Sequence, residues 1–462
     1  MANIYSPFYR ITNDFTFKAL EGTLTDEDAN LMKNRIIDIN EPIFACCSSI
    51  TNINFPKCIN IGNNAFAECT SLASISFPKC TSIGSSAFAS CSSLTSISFP
   101  ECTSIGEYAF ENCSLMSVNF PECNDIGSSA FYRCLSLHTI SFPKCTNIEE
   151  YAFYLCHSLT TINFPECTNI GSNAFYDCDS LATINFSKCT SIGSSAFGNC
   201  RSLTSANFPE CTSIGSYAFN FCYSLLTISF PECTSIGNYV FQRCSSLTTI
   251  NFPKCTSIGN GAFQYCSSLT SANFPVCTSI GASVFYSCSS LTTISFPVCT
   301  SIGVYAFSNC RSLTTISFPV CTSIGSYAFN FCYSLLTISF PECTSIGGNA
   351  FNGCSSLTTI SFPVCTSIGV YAFSNCRSLT TISFPVCTSI GNSAFYGCSK
   401  LASLYFMGNN IPTLGSNVFT NTPLSKSTYI GKYGSIYVKS SKLSSFKTAK
   451  NWSIYSARMV GV

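Results

Sequence analysis

Cysteine is the residue whose number and spacing stand out first in this chain. There are 34 cysteines, and nearly all fall into pairs with the spacing Cys-x10-Cys, from Cys58 and Cys69 to Cys387 and Cys398. Cysteines in a fixed pattern can form disulfides, bind zinc or supply nucleophilic thiolates. Each of these chemistries makes a further demand on the sequence.

The demands of zinc and of disulfides are poorly met. Zinc sites favour Cys-x2-Cys spacing or added histidines, and the chain has only His138 and His157. Disulfide frameworks are typical of small secreted domains, whereas this chain is long and begins MANIYSPFYR, which does not resemble a cleaved secretory signal. Free cysteine also packs as a small hydrophobe. The pattern favours columns of buried thiols, with disulfides and metal binding as the alternatives.

Catalytic constellations are not indicated either. The two histidines stand in unlike positions, and no cysteine is singled out by a histidine partner. The sequence contains no phosphate-binding loop and no dinucleotide-binding glycine pattern. We therefore predict that the protein is not an enzyme and that it has no catalytic residues, no cofactor-binding residues and no metal site.

The element that positions the cysteines is a repeat of 22 residues that runs from about Ile43 to Cys398. One phenylalanine column marks it: Phe44, Phe66, Phe88 and Phe110, then Phe131 after a one-residue deletion, and onward to Phe395. A period of 20 to 30 residues is typical of solenoids, in which each coil buries its apolar side against the next coil. A long stack of similar coils favours binding or scaffolding over catalysis.

A single coil, residues 94–113 (LTSISFPECTSIGEYAFENC), shows the local structure that we expect. Its first part fits L-x-x-L-x-L-x-x-N/C, the strand pattern of leucine-rich repeats, with isoleucine and phenylalanine inward and serines outward. Pro100 ends the strand, and Gly106 supplies backbone freedom at a tight corner. The remainder, with Phe110 inward, predicts a short helical or 3-10 turn on the opposite side.

With these residues in view, the chain resembles the BspA-like leucine-rich repeat family, whose units share the I-G and A-F-x-x-C elements. The resemblance implies a leucine-rich repeat solenoid with a parallel β-sheet on one face, short helical or 3-10 turns and loops on the other, and non-repeat caps at both ends. It also implies an adhesin or interaction scaffold on a cell surface or virion, with a protein or glycan partner. The sequence departs from the family by having Phe-Pro-x-Cys at the corner, which shortens the coil.

Exposed columns are where binding is expected. The outward strand residue beside the buried phenylalanine is Ser or Asn, and the candidates for a ligand-binding surface are Ser229, Asn251, Asn273 and Ser295. A surface of hydroxyl and amide groups can bind glycans or proteins, or it can order water as ice-binding solenoids do. Alternatively, it is simply the solvated face of a sheet. These three interpretations stay open.

Two further columns add candidates. The residue between Pro and Cys is Lys or Glu in the early coils and Val later, as at Val298 and Val320. If exposed, the valines form an apolar stripe of the kind that marks a partner site; otherwise this corner is partly buried. Tyr132, Tyr154 and Tyr176 form another column, which either contacts sugar rings or protein loops or packs on itself.

The ends of the chain differ from the middle, so we predict three regions: a capping or docking segment at 1–42, the solenoid at 43–399 and a basic cap at 400–462. The last region lacks acids and carries a net charge of +8 from seven Lys and one Arg. It predicts either a structural cap or contact with an anionic surface through Lys439, Lys442, Lys447 and Lys450. No nucleic-acid motif accompanies these residues, so no specific nucleic-acid partner is expected.

Composition sets the remaining expectations. Hydrophobic residues make up 46% and charged residues 9%, yet no run approaches the roughly 18 apolar residues of a spanning helix, so no transmembrane segment is predicted. The leading hypothesis is a non-enzymatic binding or adhesion protein. The alternative is a structural spacer, or a receptor-binding part of a phage tail or intracellular scaffold. The sequence does not predict an oligomeric state.

Overall fold

A computed structural model describes residues 5–6, 9–11, 17–19, 24–40, 42–425 and 434–462. The chain divides into two compact units, Met1–Phe230 and Pro231–Val462. Within each unit, consecutive coils stack through parallel, in-register strands, so each unit is a parallel β-solenoid of leucine-rich repeats. This confirms the predicted fold class.

The first unit opens with an antiparallel sheet of β1 (Tyr5–Ser6), β2 (Tyr9–Ile11) and β3 (Phe17–Ala19), followed by helix α1 (Asp26–Met32). The coils then contribute, in chain order, β4 (Asp38–Ile39), β5 (Asn52–Asn54), β6 (Asn60–Ile61), β7 (Ser74–Ser76), β8 (Ser82–Ile83), β9 (Ser96–Ser98), β10 (Ser104–Ile105), β11 (Ser117–Asn119), β12 (Asp125–Ile126), β13 (Thr139–Ser141), β14 (Asn147–Ile148), β15 (Thr161–Asn163), β16 (Asn169–Ile170), β17 (Thr183–Asn185), β18 (Ser191–Ile192), β19 (Ser205–Asn207), β20 (Ser213–Ile214) and β21 (Thr227–Ser229).

The second unit continues the same alternation. Its strands are β22 (Ser235–Ile236), β23 (Thr249–Asn251), β24 (Ser257–Ile258), β25 (Ser271–Asn273), β26 (Ser279–Ile280), β27 (Thr293–Ser295), β28 (Ser301–Ile302), β29 (Thr315–Ser317), β30 (Ser323–Ile324), β31 (Thr337–Ser339), β32 (Ser345–Ile346), β33 (Thr359–Ser361), β34 (Ser367–Ile368), β35 (Thr381–Ser383), β36 (Ser389–Ile390), β37 (Ser403–Phe406), β38 (Thr413–Leu414), β39 (Ser435–Val438) and β40 (Met459–Gly461). Helix α2 (Leu443–Thr448) lies between the 3-10 helices Ser440–Lys442 and Ser453–Arg458.

Each coil thus supplies two strands to two different ladders. The three-residue strands carry the predicted pattern, with Ile75 of β7 paired to Ile97 of β9 and their serines facing outward. The two-residue strands, such as Ser104–Ile105, follow the Phe-Pro-x-Cys corner and form a second ladder, which the sequence pattern did not predict. Because neighbouring coils have nearly the same length, equivalent residues lie beside one another, and both ladders stay in register.

The core consists of two columns of phenylalanine. Within a column the rings stack in parallel, as Phe88 on Phe110 with centroids 5.3 Å apart and planes at 6°. Between columns they meet edge to face, as Phe99 against Phe110 at 6.1 Å and 67°. Both arrangements suit the ring quadrupole. Because every coil brings one ring to each column, adding a coil extends the same packing.

The side opposite the strands consists of turns rather than 3-10 helix. Glu111 N–H donates to the carbonyl oxygen of Tyr108, three residues back, and the Tyr108 and Asn112 N–H groups donate to the next coil. Tyr108 and Asn112 have φ of 55° and 53°, values in the left-handed region that a right-handed helical turn cannot accommodate. This segment therefore forms a third set of hydrogen bonds between coils.

Gly106 allows the backbones of neighbouring coils to come close together. It does not supply the backbone freedom that we predicted. Its φ is not among the positive values of the chain, but a Cβ placed on it would lie 2.5 Å from the carbonyl carbon of Gly84 in the preceding coil. The Ile-Gly corners therefore stack backbone against backbone. A side chain at this position would push neighbouring coils apart.

Non-repeat elements flank the coils at both ends, as the predicted fold class requires. Thr25 caps α1 through a capping box with Asp28, and Met32 of that helix is buried. At the other end, Trp452 is fully buried and donates from Nε1 to the carbonyl oxygen of Pro412 at 2.7 Å. Helix α2 ends at Thr448, because Ala449 already has extended backbone.

The ladders also reach past the predicted solenoid limits of 43 and 399. Strand β4 (Asp38–Ile39) pairs with β6 before residue 43, and β38 (Thr413–Leu414) pairs with β36 after residue 399. Of the predicted segment at 1–42, residues 1–4, 7–8, 12–16, 20–23 and 41 lie outside the described residues. Our division into three regions stays a prediction.

Candidate binding surfaces

The cysteine columns are buried and inert, as the sequence favoured. In one column each thiol donates to the carbonyl oxygen two residues ahead, as Cys102 Sγ to Ser104 O at 3.2 Å. In the other column each thiol donates to a phenylalanine carbonyl of the preceding coil, as Cys113 Sγ to Phe88 O at 3.1 Å. Burial raises the pKa of Cys80 to about 12 and that of Cys113 well above its usual range. Thiols whose pKa is raised in this way stay protonated at neutral pH, and the thiolate is the form that attacks electrophiles and binds metals.

The outward residues of the three-residue strands form a neutral polar surface, which we call the strand face. Ser229 lies on it in the first unit, and Asn251, Asn273 and Ser295 lie on it in the second. All four side chains are exposed. In the second unit the register places Asn251 beside Asn273, and Asn273 beside Ser295.

The tyrosine column packs on itself. Tyr132 stacks on Tyr154 and Tyr154 on Tyr176, each at 5.2 Å between ring centroids with nearly parallel planes. Burial and the neighbouring tyrosines raise the pKa of Tyr154. Since both ring faces of Tyr154 are covered, this ring can offer only its edge and its hydroxyl group to a ligand. Mutual packing therefore explains the column better than stacking on sugars does.

The corner residue between Pro and Cys forms what we call the corner column, and it changes character along the chain. In the first unit it carries exposed ion pairs between neighbouring coils, such as Lys79 with Glu101 at 2.6 Å and Lys188 with Glu166 at 2.5 Å. In the second unit Glu232 pairs with Lys254 at 2.5 Å, after which valines take over. These valines are Val276, Val298, Val320, Val364 and Val386, and each is 38–46% exposed. The corner is therefore partly buried, but every one of these side chains also offers apolar surface to solvent.

A histidine and two aspartates meet on two adjacent coils of the first unit. Ligand atoms of His157, Asp177 and Asp179 lie within 4.8 Å of one another, and they form the only such group that could hold a metal ion in the part of the chain that the structure describes. Their polar atoms already have neighbours: His157 Nδ1 lies 2.9 Å from the Asp177 carbonyl oxygen, Asn199 donates to Asp177, and Arg201 lies 3.6 Å from Asp179. All three residues are half-buried, and the Asp179 carboxylate keeps one buried oxygen, Oδ1, without a hydrogen bond from the described residues.

A cleft between α1 and the strand face is the feature that sequence reasoning missed. It encloses about 590 Å³. Helix α1 forms its roof, and the outward residues of β5, β7 and β9 form its floor. A capping or docking segment was predicted at 1–42, but its docking place was left open, because no local pattern indicates which surface such a segment covers.

Known proteins with similar repeats agree with this coil structure. A family model described as "BspA type Leucine rich repeat region (6 copies)" matches residues 25–134, 124–245, 212–334 and 322–447. The chain belongs to the BspA-type leucine-rich repeat family. No curated protein matches the sequence.

Solved structures with related folds are leucine-rich repeat proteins. A leucine-rich repeat protein from Bacteroides ovatus ATCC 8483 is 25% identical with a TM-score of 0.51, over 87% of this chain and 94% of that one. A leucine rich cell surface protein from Faecalibacterium prausnitzii A2-165 is 22% identical with a TM-score of 0.41, over 78% and 94%. The T. pallidum leucine-rich repeat protein is 30% identical with a TM-score of 0.31, over 32% and 72%.

The BspA-type coils do not bring all the predicted site residues together. The tyrosine column follows the inward phenylalanine of the turn segment, whereas Ser229 and Asn251 lie on three-residue strands and Val298 lies at the corner that follows such a strand. These positions occupy different parts of the coil. The predicted surface is therefore several separate columns.

The basic tail of this BspA-type protein is built into its terminal cap. Lys439 donates to Asn409 Oδ1 at 2.7 Å, Lys442 is half-buried, and Lys447 and Lys450 are exposed. Phe446 packs edge to face on Trp452 at 5.2 Å. In the described part of the chain, no helix has the length and apolar character needed to cross a membrane.

Proposed function

We propose that the chain is a non-enzymatic binding and adhesion protein that presents its repeats to a protein or glycan on a cell surface. The observation that carries the proposal is the exposed valine run of the corner column in the second unit, represented by Val276, Val298 and Val320. Apolar side chains aligned on a surface are typical of partner sites.

The fold itself does not require valine at this corner. The first unit uses Lys and Glu at the equivalent positions, for example Lys144 paired with Glu122 at 2.5 Å, and its coils are built in the same way. Only Glu342 interrupts the valines of the later coils. A position that accepts charge elsewhere but carries exposed valine here points to a contact that the valines make with a partner.

The non-enzymatic part of the proposal is supported by the chemistry of the coil. Thiols such as Cys102 and Cys113 are buried, protonated and engaged with backbone oxygens. The strand face offers neutral hydroxyl and amide groups. Such a surface can recognise a ligand but lacks an activated nucleophile.

The test is binding of the full chain to panels of bacterial cells, host cells, glycans and matrix proteins. The key variant is Val298→Lys combined with Val320→Glu, because it copies the ion pair that the fold accepts at Lys79 and Glu101. Its matched control is the swapped pair Glu122→Lys with Lys144→Glu in the first unit. We expect saturable binding, a loss of about tenfold or more in affinity for the valine variant, and no change for the control.

Two results would overturn the proposal: no saturable binding to any member of the panels, or binding that the valine variant leaves intact. A spacer is the second candidate function, and one observation favours it. Residues Cys211 to Gly237 recur without change at Cys321 to Gly347, as expected when the number of coils matters more than any single side chain. A pure spacer would show no binding in these assays.

A further inference from the structure

The cleft under α1 has a roof that is firmly fixed. Asp26 Oδ1 accepts hydrogen bonds from the Thr51 and Asn52 N–H groups at 2.8 and 3.2 Å, and Asp26 Oδ2 accepts from Thr51 Oγ1 at 2.5 Å. The Ser49 hydroxyl donates to the Leu24 carbonyl oxygen at 2.6 Å. Helix α1 is therefore anchored to the segment that leads into β5. It covers the outer side of the first strands as a permanent wall.

The floor consists of two rows of outward side chains at a regular spacing. Asn52 pairs with Ser74 and Ser74 with Ser96 in one row, while Asn54, Ser76 and Ser98 form the other. Ser74 Oγ donates to Asn52 Oδ1. Among the described residues, no protein hydrogen bond engages the side chains of Asn54, Ser76, Ser96 and Ser98, nor that of Asn30 on the roof.

The cleft lining contains no cation. Its one ionised group, Asp26, is engaged: burial opposes ionisation of this carboxyl, but the hydrogen bonds from Thr51 and Asn52 outweigh that cost and lower its pKa. Ile53 and Ile75 lie beneath the floor with their side chains buried. The lining thus suits neither an anion nor an apolar ligand.

We propose that this cleft binds a neutral carbohydrate, of the size of a few sugar units, through the unengaged amides and hydroxyls of Asn30, Asn54, Ser76 and Ser98. The volume of about 590 Å³ falls within the range of small-molecule sites. Sugar hydroxyls are donors and acceptors at once, so they match side chains that are also both. An extended peptide would need pockets for its alternate side chains, and this flat polar floor has none.

The inference rests on the proposed binding function and places one glycan site at a defined point of the surface. It differs from recognition by the open strand face, because helix α1 stands over the outward residues of β5, β7 and β9 and gives this part of the face a roof. The repeats supply a closely matched comparison. Ser76 lies between Asn54 and Ser98. Ser295 of the second unit lies between Asn273 and Ser317 at the equivalent strand position, and it is not part of the cleft lining.

The experiment is isothermal titration of the full chain with neutral di- and trisaccharides of hexoses and N-acetylhexosamines, chosen from hits on an array. Ser76→Tyr fills the cleft, and Ser295→Tyr is the control. Tyrosine is tolerated at this strand position, because Tyr405 occupies it in β37 and stacks on Tyr437 at 4.6 Å. We expect Ser76→Tyr to abolish binding, Ser295→Tyr to leave the affinity within about twofold, and Asn30→Ala to weaken it.

Three outcomes would overturn the inference: no neutral sugar binds, only charged sugars or peptides bind, or Ser295→Tyr is as damaging as Ser76→Tyr. Circular dichroism of each variant separates loss of the site from loss of the fold. Cell binding by the Ser76→Tyr variant separates this inference from the proposed function. Cell binding that depends on the valines, with no sugar binding at all, would remove the cleft site and leave the adhesion role standing.

Discussion

Cys113 donates its thiol hydrogen to the carbonyl oxygen of Phe88, with 3.1 Å between the sulfur and oxygen atoms. The two residues are 25 positions apart, and the same offset recurs between Cys91 and Phe66 and between Cys376 and Phe351. Each of these thiols therefore links one coil to the preceding one and satisfies a buried carbonyl oxygen. Cysteine at this position supplies a small apolar side chain that also donates a weak hydrogen bond.

The first prediction concerns stability at alkaline pH. Burial raises the pKa of Cys80 to about 12 and that of Cys211 to about 11, from the ordinary 9.0. Above pH 9 the unfolded chain loses thiol protons that the folded chain retains, so the free energy of unfolding falls as pH rises, by up to about 1.4 kcal/mol per pH unit for each such thiol. The many equivalent thiols make this slope steep.

Urea denaturation in reducing buffer, followed by circular dichroism between pH 7 and 10.5, measures this effect. We expect a nearly constant midpoint from pH 7 to 8 and a sharp decrease above pH 9. An unchanged midpoint at pH 10.5 would show that the columns do not stay protonated in the folded chain.

The second prediction concerns thiol labelling. Cys46 is exposed, and Cys47 beside it is buried together with the remaining cysteines. Treatment of the native chain with a maleimide should modify one thiol rapidly, and peptide mass spectrometry should place that label on Cys46. A Cys46→Ser variant is the control and should lose the rapid phase. Rapid labelling of many sites in the native state would contradict the buried columns.

The third prediction concerns the phenylalanine stack. Phe110 is fully buried between Phe88 and Phe131 at 5.3 and 5.2 Å. Phe110→Ala should lower the free energy of unfolding by about 3–5 kcal/mol, because it removes buried ring area and leaves a cavity. Phe331, whose side chain is exposed, provides the control, and Phe331→Ala should change stability by less than about 1 kcal/mol. Equal effects of the two substitutions in urea titrations would argue against the stack.

The fourth prediction concerns the Ile-Gly corners. Gly106→Ala should destabilise the chain by about 1–3 kcal/mol, since its Cβ would meet the Gly84 backbone, which cannot rotate away. Gly348→Ser should be nearly neutral, because a Cβ there comes no closer than 3.3 Å to another atom and Ser326 occupies the same place one coil earlier. Thermal melts compare the two variants directly. A tolerated Gly106→Ala would mean that the corners can separate without cost.

The fifth prediction separates the two roles of the basic tail. Trp452→Ala should lower the free energy of unfolding by about 3–5 kcal/mol, since it empties the aromatic cluster and breaks the hydrogen bond to Pro412. Lys447→Gln with Lys450→Gln should leave stability unchanged. If the tail contacts anionic surfaces, this double variant should reduce sedimentation with phosphatidylserine vesicles; equal sedimentation of both proteins would leave capping as its function.

The sequence was sufficient to predict the coil, because each of its signals recurs in nearly every repeat. Alternating Ile97 and Phe99, Pro100 after them and the column that contains Phe110 indicate strand, corner and core, and the repeated offset indicates stacking. The strand face and the burial of the cysteines follow from the same periodicity.

Three features could not be predicted, for separate physical reasons. The two-residue strands such as Ser104–Ile105 are too short for periodicity to reveal. The turn segment looked helical because its sequence alone does not show that Tyr108 and Asn112 adopt positive φ. The cleft depends on where α1 docks, which is set by the hydrogen bonds that Thr51 donates to Asp26, a residue outside the repeat.

The terminal cap has a consequence for assembly. An internal ring such as Phe373 has neighbours of its own column on both sides, at 5.2 and 5.4 Å. Phe419 instead meets Phe395 on one side and the edge of Tyr455 at 5.2 Å, next to Trp452. A coil stack with an uncovered last ring is a template on which another chain can continue the column. Because the cap sets the edge of Tyr455 against that last ring, we expect this end of the coil stack to offer no open ring face for another chain to continue.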